Sequence, residues 1–364
     1  MASSPVARDL PGRPVTVADH SNPMSASSVP RATISDVARA AGVSTTTVSH
    51  ALNGRGQVDA RTRERVEKAA LALRYRPNRH AQRLRTGEAH MIVLLSSMPF
   101  AVAAGSSRLG FLMEIAAVAA TSALTRGLAL VLAPPMESGA LPLETLDVDG
   151  ALVVEPSARD VNIDHMKRRG LPVVSIGRQP GARPPIPHVD LRSAETARLL
   201  LDHLRAQGAR RIALLIGSER RNSYIETEQA YRAAVLEYGM PAIVATAEET
   251  AGEDGGREAT RDLLRRHPRI DGICAPVDAF AVGAILALQE AGRRVPQDVV
   301  VATRYDGMRA RTCEPPLTAV DLHLDRVAHE AIELLLEHLR GDKTRRVVAG
   351  PAPELILRAS SSRG

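Results

Sequence analysis

From residue 90 onward the chain repeats one pattern: a short uninterrupted apolar run, then a longer segment whose apolar positions have helical spacing. The runs are MIVLL, LALVL, GALVV and PVVSI, followed by RIALLIG, AIVAT, GICA and VVVAT. A strand that is apolar at every position needs cover on both faces, which the helices of βαβ crossovers supply. The pattern predicts two doubly wound parallel sheets, flanked by helices near residues 109–125, 160–169, 194–207, 227–238, 254–267 and 278–291. Ligands of such folds sit outside the carboxyl ends of the strands, so the cleft between the two units is the predicted binding site. With 44% hydrophobic but only 2% aromatic residues and no Trp, the cores have to be built from Ala, Val, Leu and Ile.

At 364 residues the chain needs more than one core. Its net charge of +6 is unevenly divided. Residues 31–86 carry twelve Arg and Lys against four Asp and Glu, a net of +8, while residues 1–30 sum to zero and the remainder to −2. A solvated surface would spread its charge; this concentration points to a polyanion partner.

Several classes are disfavoured. No Gly-x-Ser-x-Gly elbow, His-Glu-x-x-His or Gly-rich phosphate loop occurs, and Asp254 with Glu258 at helical spacing reads as a solvated face, so an enzyme is not expected. Cys274 and Cys313 lack metal-ligand spacing and read as reduced thiols, with no metal and no cofactor implied. No run approaches the ~18 apolar residues of a membrane span. Residues 1–30 show no basic stretch leading into an apolar run; a cytoplasmic protein without a membrane partner is expected, not an exported solute-binding protein. The Ser, Pro and Ala content of residues 1–30 predicts a disordered arm, with Met24 as a candidate start of translation.

Within the basic segment, Thr33-Ile34-Ser35-Asp36 is a capping box opening a helix with Ile34, Val37, Ala38 and Ala41 on its apolar face. Gly42 ends it, and Ser44 begins a second helix that carries Val48 and Leu52 inward and Thr45, Thr46, Ser49 and His50 outward. A third helix starts at Asp59 and is predicted to bury Val66, Ala69, Ala70 and Leu73, with Arg61, Arg63, Arg65 and Lys68 facing solvent or phosphate. Two short helices joined by a tight turn are the geometry that offers the second helix to a DNA major groove. The segment 78–85 after Tyr75-Arg76-Pro77 is a two-turn helix too short to stand alone in water, and is expected to be ordered only when bound.

The run ATISDVARAAGVSTTTVSHALNGRGQVDARTRERVEKAALALRYRPN, continuing into HAQRLRTG, resembles the headpiece of the LacI/GalR (lactose-repressor) family. GLPVVSIGR, AYRAAV, GRRVPQDVVV, RYDG, EPPLTAV and LILRAS resemble that family's sensor core. The resemblance implies a helix-turn-helix headpiece over 31–77, a hinge helix and linker over 78–89, and a type I periplasmic-binding-protein-like core over 90–361. Lobe 1 would comprise about 90–190 plus 305–322, and lobe 2 about 191–304 plus 323–361. It implies a sequence-specific repressor, a homodimer on a near-palindromic double-stranded operator, with a small molecule in the cleft modulating DNA affinity. DNA contacts are implied at Thr33, Ser44, Thr45, Thr46, Ser49, His50, Asn53, Tyr75, Asn78, Ala81 and Leu84, the last as a minor-groove wedge. His50 stands where the family commonly has arginine. Effector contacts are implied at Arg178, Asp190, Asp278 and Asp306, and Tyr224 is a further candidate contact on its own chemistry. Thr227 and Val277 replace polar residues with which sugar-binding members grip hydroxyls. The effector is thus left open between a sugar and an anionic metabolite, the latter favoured by Arg178, Tyr224 and Arg304. A degenerate cleft, unliganded or answering to a protein partner, is the alternative.

Overall fold

The structure, a computed structural model, describes residues 32–52, 56–75, 88–103, 110–133, 135 and 143–363. The chain splits into two units, Met1–Thr86 and Gly87–Gly364, each described by itself below.

In the first unit, α1 (Ile34–Ala41), α2 (Thr45–Leu52) and α3 (Ala60–Ala72) enclose Val37, Ala38, Ala41, Val48, Ala51, Val66 and Ala70. Small side chains let three short helices approach closely. The capping box is formed: the Asp36 amide donates to Thr33 Oγ1 at 3.4 Å and the Thr33 amide to Asp36 Oδ2 at 2.9 Å. These bonds, the Thr33 amide first, hold the Asp36 carboxyl below its ordinary range. Gly42 takes the left-handed conformation (φ 64°) that ends α1, and Asp59 Oδ1 caps α3 by accepting from the Thr62 amide at 2.9 Å. One expectation fails: Leu73 is 37% exposed, because α3 ends at Ala72 and Leu73 is already its C-cap. The 1–30 arm and the 78–85 helix lie outside the described residues.

The second unit runs β1 (Met91–Ser96), α4 (Phe100–Ala103), α5 (Phe111–Leu124), β2 (Ala129–Ala133), β3 (Gly150–Val154), α6 (Val161–Arg168), β4 (Val173–Ile176), β5 (His188–Asp190), α7 (Ser193–Ala206), β6 (Ile212–Gly217) and α8 (Asn222–Tyr238). It continues with β7 (Val244–Ala247), α9 (Gly252–Arg266), β8 (Gly272–Cys274), α10 (Asp278–Glu290), β9 (Val300–Ala302), α11 (Met308–Thr312), β10 (Ala319–Asp321), α12 (Leu324–Leu339), β11 (Val347–Ala349) and β12 (Glu354–Ile356). One sheet has the order β11-β5-β4-β3-β1-β2 and the other β7-β6-β8-β9, every pairing parallel. β1, β3, β4 and β6 are buried almost throughout, as uninterrupted apolar strands require.

The predicted division into lobes is corrected in its last third. Residues 305–318 stay with the second sheet: α11 packs on α10, and Thr318 bridges Ala302 beside β9. Conversely α12 packs on α5, β3, β4 and β5, and β11 is the edge strand of the first sheet, so 324–349 belong to lobe 1. The chain then returns to lobe 2, where the Ser360 hydroxyl donates to the Val301 carbonyl at 2.6 Å. Apolar spacing identifies strands and helices but not the sheet each joins. The antiparallel pair β10-β12 lies at the crossings. Two of the crossings use the same device. Asp190 Oδ1 accepts from the Arg192 amide at 2.9 Å, and Asp321 Oδ1 from the His323 amide at 2.7 Å. Arg192 and His323 both have positive φ, 48° and 50°, and each immediately precedes a helix.

Helices α9 and α10 touch through glycines. A Cβ at Gly283 would lie 2.1 Å from the Glu253 carbonyl oxygen, and one at Gly256 2.4 Å from Phe280 Cα. Backbone cannot give way as a flexible side chain can. Gly283→Ala is therefore expected to cost about 1–3 kcal/mol through overpacking, outweighing the ~1 kcal/mol that alanine gains over glycine in an open helix. Urea unfolding of the two proteins checks the sign.

Candidate DNA interface and effector cleft

Ser44, just before α2, and Thr45 and Thr46 on it are exposed, and Ser49 and His50 are half-buried. Ser44 Oγ accepts from the Thr47 amide at 3.1 Å, so the residue that caps α2 also sits at its exposed amino end. Thr33 is exposed, but its hydroxyl is bonded to Asp36 Oδ2 at 2.7 Å. Tyr75 packs against the three-helix core, its amide donating to the Ala70 carbonyl at 2.8 Å, and burial pushes its phenol above the ordinary range. The His50 imidazole lies against Gly56: a Cβ there would be 2.7 Å from Nδ1, and φ at Gly56 is 73°. Glycine is thus required twice over beside His50. Asn53, Asn78, Ala81 and Leu84 lie outside the described residues.

The cleft of the second unit forms where the carboxyl ends of the strands in both sheets meet, as parallel topology requires. Ser97 follows β1, Glu155 follows β3, Glu249 follows β7 and Arg304 follows β9, while Arg221 precedes α8. Arg221 (1% exposed) makes a bidentate pair with Glu249 (0%), Nε to Oε1 at 2.9 Å and Nη2 to Oε2 at 2.7 Å. Its remaining donors reach the carbonyls of Glu155 at 2.5 Å and Ser97 at 2.8 Å. The Tyr224 hydroxyl donates to Glu249 Oε1 at 2.6 Å. Glu155 Oε1 accepts from Arg304 Nη2, and Oε2 from the Ser223 hydroxyl, both at 2.7 Å. The Arg304 guanidinium also stands 5.8 Å from the centre of the Phe111 ring. Burial opposes the Arg221 cation, but the Glu249 carboxylate more than offsets it, and the guanidinium stays charged. Burial first, then Glu249, pushes the Tyr224 phenol well above its ordinary value.

Of the five effector residues expected, two adjoin this network. Tyr224 is part of it, and Arg178, about half exposed, clamps Asn222 Oδ1 from Nε and Nη2 at 3.0 and 2.9 Å. Asp278 is buried and faces Arg309 at 3.3 Å while capping the Ala279 amide; burial raises its carboxyl and Arg309 opposes this. Asp306 pairs with Arg358 at 2.6 Å and Arg311 at 3.1 Å. Burial would raise it, but the two arginines hold it below the usual carboxylate value. Asp190 caps the crossing described above. Thr227 and Val277 are buried, and Val277 offers α10 no side-chain cap. Glu155, Arg221 and Glu249 were not anticipated. Their signal was present: each is a charged residue just beyond an apolar strand, in ALVVEP, LLIGSERRN and IVATAEET. Cys274 and Cys313 are free thiols, pushed up by burial to about 12 and about 11. Among the described residues no cluster of His, Cys, Asp and Glu could hold a metal ion, and no helix is long and apolar enough to cross a membrane.

Residues 33–78 match the model of bacterial regulatory proteins of the lacI family, and residues 201–361 that of a periplasmic binding protein-like domain. The chain is 32% identical over 342 residues to the HTH-type transcriptional regulator CelR of Thermobifida fusca, covering 91% of this chain and 98% of that protein. It belongs to the LacI family. Among solved structures it resembles a CelR–cellobiose complex, with TM-score 0.67 and 30% identity, covering 91% of this chain and 100% of that one. It also resembles the Lac repressor dimer bound to operator and the anti-inducer ONPF, with TM-score 0.72 and 25% identity over 92% and 100%. This LacI-family chain is therefore a sequence-specific DNA-binding transcriptional repressor with a type I periplasmic-binding-like core; its relatives are regulators, and it is not an enzyme.

Removing one member of a buried ion pair leaves the other charge stranded. Arg221→Met should destabilise the core by about 3–5 kcal/mol, and its denaturation midpoint should fall well below that of a surface control, Arg265→Met. A midpoint shift equal to the control's would show that the Arg221–Glu249 pair contributes nothing.

Proposed function

We propose that this LacI-family chain acts in the cytoplasm as a homodimer, placing two headpieces on the half-sites of a near-palindromic operator. The observation that carries this reading is the exposed amino end of α2, where Ser44, Thr45 and Thr46 stand clear of a fully formed three-helix core. Short hydroxyl side chains there can meet base edges or a thymine methyl, while the surrounding arginines meet phosphate. In this reading Ser49 and His50 flank the same edge, Thr33, Asn53, Tyr75 and Asn78 contact the backbone, and Leu84, beside Ala81, wedges into the minor groove.

The core is the regulatory half of the proposal. A small molecule bound in the cleft, touching Arg178, Tyr224, Asp190, Asp278 or Asp306, changes the spacing of the two 78–85 segments and so whether Leu84 inserts. A differential affinity of ~1–3 kcal/mol between the two states suffices for such a switch. The cellobiose in the related CelR complex supports a sugar, whereas Arg178 and Arg304 support an anionic metabolite. A second reading, a cleft that takes no small molecule, is favoured by the four charged side chains buried within it.

DNA selected from a random pool should contain two inverted half-sites, and binding should weaken steeply with salt. Leu84→Ala should weaken the selected site at least about tenfold while leaving non-specific binding nearly unchanged. Equal losses on both DNAs, measured by fluorescence anisotropy, would remove the wedge from the proposal. Recovery of unpaired half-sites only would remove the dimer.

A further inference from the structure

Closure of a two-lobed binding protein needs contacts made to both lobes at once, and a ligand ordinarily supplies them. Here the chain supplies them itself. Glu155 belongs to lobe 1, and its two carboxylate oxygens are each taken by a lobe 2 donor, Arg304 Nη2 and the Ser223 hydroxyl, at 2.7 Å. In return Arg221 of lobe 2 donates to the lobe 1 carbonyls of Ser97 and Glu155. Arg178 of lobe 1 clamps Asn222 of lobe 2, and the Tyr305 hydroxyl of lobe 2 reaches Glu114 of lobe 1 at 2.6 Å. Glu155 holds this position with φ at +48°, a conformation a non-glycine residue keeps only where its surroundings impose it. It is also 2% exposed, so its carboxylate is desolvated as a bound ligand's would be. The two glutamates and two arginines balance in charge, which leaves no unpaired ion for an incoming polyol to satisfy.

We infer that Glu155 is a built-in closing group: its carboxylate occupies Arg304 and Ser223 in place of a ligand's, and holds the two lobes together when no effector is bound. The inference concerns the regulation of the cleft in the function proposed above and rests on that cleft being the regulatory site. Two consequences follow from the chemistry. Neutral sugars find the centre of the cleft filled. Replacing Glu155 by glycine, which accepts the positive φ, leaves a carboxylate-sized space facing the Arg304 cation and the Ser223 hydroxyl, which a small free carboxylate can fill.

The test is an interlobe distance in the full-length protein. Spin labels go on Val161→Cys in lobe 1 and Leu236→Cys in lobe 2, both highly exposed positions, in a Cys313→Ser background and diluted with unlabelled protein. Ligand-free protein carrying the native Glu155 should give one narrow distance, unchanged by millimolar cellobiose. Glu155→Gly should give a longer, broader distribution that millimolar acetate, but not chloride at equal ionic strength, returns to the narrow one. Glu155→Gln, which keeps the volume but not the charge, should open the lobes without acetate rescue, and serves if the glycine variant does not fold. A ligand-free protein that is already open with Glu155 in place overturns the inference. So does a Glu155→Gly protein that stays closed, or one on which acetate acts no differently from chloride. The measurement uses no DNA, so its failure leaves operator binding untouched, and a failure of operator binding leaves these distances as they are.

Discussion

Two arginine–glutamate pairs buried between the lobes set the terms for the rest of the core. An isolated buried charge is costly, and these four are tolerated because each is paired and hydrogen-bonded, Arg221 with Glu249 within lobe 2 and Glu155 with Arg304 and Ser223 across the lobes. The bonds of Glu155 and Arg221 that cross the lobes tie the two sheets directionally, since hydrogen bonds weaken steeply away from their preferred geometry. The parallel sheets place these residues together. All strands of a parallel sheet end on the same side, so the Ser97 carbonyl beyond β1 and the charged residues beyond β3, β7 and β9 converge without being near in sequence.

The headpiece is held by different means. Its interior is valine and alanine, with few atoms to remove from water, so end-capping carries more of the local stability than it does in the core. Thr33 with Asp36, Ser44 with Thr47 and Asp59 with Thr62 each satisfy amides that a helix start leaves open. The same economy of side-chain volume brings α2 close to α1 and leaves its first turn protruding.

Much of this was legible beforehand, for reasons that differ by element. The capping box, the Gly42 stop and the Asp59 start are local chemistry, in which the residues that signal a helix end also form its hydrogen bonds. The alternation of apolar runs with helical segments revealed the parallel sheets because burial on two faces leaves no freedom of pattern. Leu73 was misread because spacing carries no information about where a helix stops. Residues 305–318 and 324–349 were assigned to the wrong lobes because a helix such as α12 looks alike in sequence whichever sheet it covers. At the cleft, Arg178 and Tyr224, two of the residues expected, adjoin the charged network, whereas Glu155, Arg221 and Glu249 were overlooked because a charged residue after a strand usually faces water.

The sequence by itself determined the basic helix-turn-helix segment and the doubly wound nature of the core, since both depend on spacing and composition over a few neighbouring residues. Only the tertiary structure decided that Glu155, Ser223, Arg221, Glu249 and Arg304 meet in one network, that Asp190 caps a crossing, and that α12 returns to the first sheet. Ion pairs and strand order join residues roughly 30 to 150 positions apart, such as Arg221 with Glu249 and Arg304 with Glu155. No local pattern records such a pairing; it exists only once the sheets have brought the strand ends together.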